Sequence, residues 1–313
     1  MRRSTLISSV LAAAVALATV VAACTDGGTS TSDQPPRSSV GGSSPSSVSS
    51  PAAPPSSTGA HANRIVSLSP SATEMLFAIG AGDQVVGVDD GSNFPNAVSA
   101  KPHLSRSPDL DALAALQPDV VVIADDPSGL SSQLAQRGIA VLIEPAPTSL
   151  DLVFDQVSDL GSVSGHRDEA RHVAADMRAR IDAAVAGAPK PTHPLTYYHE
   201  IDPAYTSVTE NTLTGQIYSL FGLQSIADFQ EVSTDNPKLS PDAIISADPD
   251  LIFLADGETP AGVAARPGWS KLKAVRDGNV VVLDGSVSSR WGPRIVDFVE
   301  AIADAVGHAG QDG

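Results

Sequence analysis

The sequence predicts an α/β protein built from two similar three-layer α/β lobes joined by one long bridging helix. Strand-like and helix-like segments take turns from about residue 63 onward, the pattern of parallel sheets with helical crossovers. One block is written twice, as "LDALAALQPDVVVIAD" around Asp111 and as "PDAIISADPDLIFLAD" around Asp242, so the two halves repeat one unit. Between the halves runs an amphipathic stretch, "HRDEARHVAADMRARIDAAVAG".

The chain opens on "MRRSTLISSVLAAAVALATVVAAC", with Arg2 and Arg3 ahead of an apolar run and small residues before a cysteine. That layout reads as an export signal over residues 1–23. Cys24 is the only cysteine in the chain, which leaves no disulfide within one molecule. "VAAC" resembles the lipobox of bacterial lipoproteins, and the resemblance implies lipid on Cys24; an uncleaved apolar anchor or simple secretion are the alternatives. From 24 to 62 Ser, Pro, Gly and Thr dominate, and large apolar groups are too few to repay ordering. This segment reads as a tether reaching about 30–40 Å. Nothing after Val21 is apolar for long enough to span a bilayer.

The first lobe is placed at 63–163. "RIVSLSP" starts it as a strand, and "SATEMLFAIGAG" follows as a helix with a glycine stop. "QVVGV" is a second strand. "PDLDALAALQPD" is a helix closed by Pro118, and "VVVIA" is a continuous apolar strand of the kind buried in parallel sheets. "SGLSSQLAQRG" and "IAVLIE" continue the alternation.

The bridge is placed at 164–187. Ala170, Val173, Ala174, Met177, Ile181, Ala184 and Val185 fall on one helical face. At a rise of about 1.5 Å per residue the helix spans about 33 Å, enough to cross between lobes. The second lobe, 188–313, restarts at "LTYYHEI" and runs through "TGQIYSLFGL", "SPDAIISADPD", "LIFLA", "GWSKLKAVRDG" and "NVVVLD" to a last helix, "PRIVDFVEAIADAV".

A net charge of -17 and a pI near 4.6 argue against nucleic acid, whose phosphates select basic faces. They disfavour anionic ligands as well.

The export signal, the doubled lobe, the spanning helix and the ordered set "RIVSLSPSATEMLFAIGAG", "VVGVDDGSNFP", "LDALAALQPDVVV", "GWSKLKAVRDGNVVVLD" and "GPRIVD" together resemble a known family. It is the cobalamin- and ferric-siderophore-binding proteins of bacterial ATP-binding-cassette importers, the helical-backbone metal receptors or class III binding proteins. The resemblance covers about residue 63 to the C-terminus. It implies a monomeric carrier on the outer face of the cytoplasmic membrane, held there by lipid only, with an ATP-binding-cassette permease dimer as partner. It also implies a cleft between the lobes with little hinge motion, no resident cofactor, and a small-molecule metal chelate as cargo.

Ligands of such sheets bind beyond the carboxyl ends of the strands. Those ends offer Ser69, Asn93, Phe94, Arg106 and Asp125 in the first lobe, and His199, Tyr205, Asn236, Arg290 and Trp291 in the second. By alignment with corrinoid binders, the aromatic positions that cover the macrocycle read Gly91, Arg106, Ala124, His199, Tyr205 and Asn236. Only Tyr205 is a full aromatic there, with Phe94 and Trp291 nearby. Strongly anionic ferric chelates need clustered Arg or Lys, and only Arg106 and Arg290 are at hand. A corrinoid such as cobalamin or a neutral to cationic ferric siderophore fits better. Haem is the alternative, with His199, Tyr205 or His103 as axial ligand. No bare metal site is expected, because the seven His show no paired spacing.

In the resembling family an acid at the position of Asp111 and of Asp242 docks onto permease arginines; the plain alternative is helix-dipole support from a first-turn acid. An enzyme is not expected. There is no GxSxG elbow, and adjacent pairs such as Asp125 and Asp126 rarely face each other across a substrate.

Overall fold

The computed structural model describes residues 61–310 apart from 192, 231 and 232, so the signal segment, Cys24 and nearly all of the tether lie outside the described residues. The first lobe holds β1 (Ile65–Leu68), α1 (Pro70–Ala78), β2 (Val85–Asp89), β3 (His103–Leu104), α2 (Leu110–Ala115), β4 (Val120–Ile123), α3 (Leu130–Gln136) and β5 (Ala140–Ile143). Two long helices follow, α4 (Leu150–Ser164) and α5 (Arg167–Gly187). The second lobe holds β6 (Thr196–Glu200), α6 (Leu213–Ser219), β7 (Gln224–Ser225), α7 (Pro241–Ala247), β8 (Leu251–Leu254), α8 (Pro260–Ala265), α9 (Lys273–Arg276), β9 (Val280–Val282), α10 (Gly285–Ser288) and α11 (Ile295–Ala309).

Both sheets are parallel throughout, in the orders β3-β2-β1-β4-β5 and β7-β6-β8-β9. The apolar runs VVVI and LIFL, and IVSL with its single polar residue Ser67, are buried along their whole length, since helices cover both faces of a parallel sheet. The fold class read from the sequence is thereby borne out. Helix starts follow the local chemistry. Ser149, Thr212, Ser240 and Thr259 each accept a backbone N–H of the first turn, as N-cap side chains do.

One apolar core runs from Ile65, Met75 and Leu76 through Phe154 and Leu160, across Met177 and Ile181 of α5, to Tyr197, Phe298 and Ile302. Helix α5 packs on α4 from the first half and on α11 from the second. Its Ala170, Met177 and Ile181 are buried, and Val173, Ala174, Ala184 and Val185 pack beside them. Smaller cores close the outer face of each sheet.

Three details differ from the sequence reading. Helix α4, unassigned there, packs on α1 and α5 as part of the first half, and Gly165 at φ 83° turns the chain between α4 and α5. "GWSKLKAVRDG" breaks into a 3-10 turn at Trp269–Lys271 and the short α9. Strands β3 and β7 form from two residues each, too few to leave a periodic signal.

Candidate functional site

The alternation of side chains along β6 sets up the site. Tyr197 and His199 face the central core, whereas Tyr198 faces the outer core and bonds through its hydroxyl to Glu200, at 3.1 Å. Glu200 is fully buried and takes two hydrogen bonds of 2.6 Å from the Arg266 guanidinium. That guanidinium stacks 4.7 Å from the Trp269 ring and 5.4 Å from the Tyr205 ring, and its bonds to Glu200 raise its pKa further. Tyr205 itself stands at φ 64° in a turn where Asp202 Oδ1 accepts from the Ala204 and Thr206 amides.

Inside the opposite face lies a cavity of about 720 Å³, within the range of small-molecule sites. The segment after β5 contributes Ala146, Pro147 and Thr148. The second lobe contributes His199, Ile201, Thr206 and Val208, the 211–214 turn, Asp235 and Asn236, the Ser288–Trp291 segment, Ile295 and Phe298. Thr206 and Val208 reach the cavity because residues 206–209 run antiparallel to 235–238, with Ser207 N donating to Pro237 O and Thr209 N to Asp235 O.

The wall is mostly apolar, and its charged side chains are Asp235 and Arg290. Arg290 is already engaged: Nη1 donates to Glu74 Oε1 at 2.9 Å and Asn93 Oδ1 at 2.7 Å, and Nη2 to Gly91 O at 2.8 Å. Asn236 Nδ2 donates to Ser207 O at 3.3 Å. His199 is 2% exposed, and its Nδ1 lies 2.8 Å from the Tyr218 hydroxyl. Burial lowers its pKa to about 4, so the ring is neutral at ordinary pH.

Of the residues singled out in the sequence, His199, Asn236, Arg290 and Trp291 line this cavity together. Asn93 holds Arg290 at its edge. The others stand elsewhere. Ser69 is buried and caps α1, its Oγ accepting from Ala72 N, so the hydroxyl is consumed locally. Phe94 lies under Arg294, 4.3 Å from ring centre to guanidinium, in a separate groove with Phe77 and Pro293. Arg106 and Asp125 are exposed and bonded to each other at 3.0 Å, away from the cavity wall. Tyr205 packs outward into the Arg266 and Trp269 cluster rather than into the cavity. Among the described residues no three His, Cys, Asp or Glu side chains converge as metal ligands.

Asp111 and Asp242 occupy matching stations, each the second residue of its helix, after the N-caps Asp109 and Ser240. Both are exposed, and Asp111 Oδ1 is 2.7 Å from Arg137 Nη1. The sequence reading missed Ala146–Thr148, Asp235 and Phe298. The first of these follow a strand end, the signal that found the others. Phe298 looked like an ordinary core position of an amphipathic helix.

The chain matches the periplasmic binding protein family over residues 65–287. Among its relatives is the uncharacterized ABC transporter substrate-binding lipoprotein YvrC of Bacillus subtilis (strain 168), 26% identical over 253 residues, 78% of this chain and 79% of that one. The cobalamin-binding protein of Halobacterium salinarum is 30% identical over 256 residues, covering 77% of this chain and 69% of the relative. Of the solved structures, the periplasmic haem-binding protein RhuT from Roseiflexus sp. RS-1 has a TM-score of 0.70 at 25% identity, over 80% of this chain and 99% of that one. The periplasmic vitamin B12 binding protein BtuF of Vibrio cholerae also scores 0.70, at 24% identity over 79% and 98%.

Proposed function

Because the chain belongs to the periplasmic binding protein family, we propose that it is the extracytoplasmic binding component of an ATP-binding-cassette importer, and that its cavity carries a metal chelate. The family is one of transport proteins that bind substrates rather than turn them over. The chelate we favour is a corrinoid such as cobalamin or a neutral ferric siderophore. The observation that carries this choice is the charge of the wall: apolar for the most part, with its one arginine held by Glu74, Asn93 and Gly91. A strongly anionic ligand would be desolvated there without a free cation to offset it. The names of the Bacillus and Halobacterium relatives support the transport role and the corrinoid. Haem is the second reading, favoured by the fold shared with the Roseiflexus protein and by an imidazole in the wall.

In this reading Cys24 carries lipid, the tether lets the folded part reach the permease, and Asp111 and Asp242 dock one on each permease subunit. The permease receives the cargo; nucleic acid has no part.

Trp291 lines the cavity, so occupancy should quench tryptophan fluorescence. Titration with cyanocobalamin, haemin and a neutral ferric trihydroxamate should give saturable quenching with one of them. No quenching and no spectral change across the panel would remove the chelate reading.

A further inference from the structure

His199 presents the cavity with a ring whose two nitrogens have different surroundings. Nδ1 meets the Tyr218 hydroxyl at 2.8 Å. That hydroxyl belongs to a fully buried ring packed against Tyr197, Phe253 and Phe298, and it makes no other hydrogen bond among the described residues. Its proton therefore has one acceptor to go to, the Nδ1 lone pair, because a sealed hydroxyl without an acceptor is strongly disfavoured. An imidazole that accepts at Nδ1 and is neutral carries its own proton on Nε2. Nε2 has no protein partner among the described residues and is not among the sealed polar atoms, and the residue lines the cavity. The one lone pair that could bind a metal is thus turned away from the ligand, toward Tyr218.

We propose that His199 binds the cargo as a neutral hydrogen-bond donor, through Nε2–H to a peripheral carbonyl or amide oxygen, and not as an axial ligand to the metal. This rests on the chelate reading above and narrows it. The ligand completes its metal's coordination without this histidine, and it carries an oxygen acceptor on its rim. A corrinoid bearing carboxamide arms or a saturated ferric hydroxamate has that chemistry; haem awaiting a protein nitrogen does not.

The tautomer is tested on the ligand-free full chain by NMR of protein labelled with nitrogen-15 histidine, with His199→Phe identifying the resonances. The expected result is a protonated Nε2 and a bare Nδ1, constant from about pH 5.5 to 8. A protonated Nδ1 overturns the proposal. In titrations with cyanocobalamin, a neutral ferric trihydroxamate and haemin, His199→Phe should weaken the probe that binds by roughly 5- to 100-fold. Because that variant also strands the Tyr218 hydroxyl, Tyr218→Phe serves as the second. Freed from the hydroxyl, His199 should then show mixed tautomers and intermediate affinity. Unchanged affinity in His199→Phe, or a nitrogen-ligated haem spectrum that this variant abolishes, overturns the proposal while leaving the chelate reading intact. Failure of every probe to bind the unaltered chain removes both.

Discussion

Glu74 and Arg294, from the first and last helical segments of the folded chain, meet in a two-pronged ion pair: Nε to Oε2 at 2.9 Å and Nη2 to Oε1 at 2.6 Å. Arg290 joins them through Oε1 at 2.9 Å, so one buried carboxylate of the first lobe holds two arginines of the second. Hydrogen bonding to Glu74 raises the Arg294 pKa. Arg290 also lines the cavity, and Trp291 beside it donates its amide to Ser71 Oγ at 3.3 Å. The wall of the site and the tie between lobes are one stretch of chain.

Glu74→Ala strands two guanidiniums that are largely buried, and loss of one partner of a buried pair costs about 3–5 kcal/mol. The low end, about 3 kcal/mol, is expected because both arginines keep some contact with water. Urea unfolding measures the loss, and small-angle scattering should show a wider spread of lobe arrangements. A variant as stable as the parent would mean that the apolar core alone sets the lobe geometry.

Asp111→Lys combined with Asp242→Lys should leave folding and ligand binding near the parent's, since both side chains stand on the surface at helix starts. Uptake and stimulation of the permease ATPase in reconstituted vesicles should be lost, because charges at a rim govern encounter and register. Undiminished transport would return both residues to helix-dipole support, worth about 0.3–1 kcal/mol each.

Glu144, at the end of β5 and just before the Ala146–Thr148 wall, has its pKa pushed up to about 7, by burial first and by Asp159 second. Its folded pKa lies above the unfolded 4.5, so the neutral form is the stabilising one. That contribution is whole below about pH 4.5 and is lost as the pH rises through about 7. Glu144→Gln should therefore flatten the fall in stability between those values and gain roughly 2–3 kcal/mol at pH 8. Thermal melts at pH 5 and 8 decide it; parallel shifts in both proteins would mean that Glu144 does not titrate in this window.

Cys24→Ala should move the protein from the membrane fraction to the soluble one on cell fractionation. Retention in the membrane would assign the anchor to the uncleaved apolar segment instead.

Most of the strands and helices, and their repetition, are legible in the sequence, whereas α4 and the two-residue strands β3 and β7 are not. The runs in β4 and β8 are apolar without a break and that in β1 is interrupted only by Ser67, a pattern that suits a sheet covered on both faces, and the doubled block around Asp111 and Asp242 announced the second lobe. The stripe on α5 named the faces that pack on α4 and α11. Strand ends located His199, Asn236, Arg290 and Trp291, because a parallel sheet delivers its loops to one edge.

Which of those side chains line the cavity depends on the packing of the whole fold. His199 and Glu200 are neighbours in sequence, yet alternation along β6 sends one to the cavity and the other to Arg266. Arg266 in turn draws Tyr205 outward. Arg290 counted as a free cation until Glu74 reached it across the lobe boundary. The sequence counts charges, but whether one is available depends on a partner brought within about 3 Å by packing of the whole fold, and burial makes leaving such a charge unpaired costly.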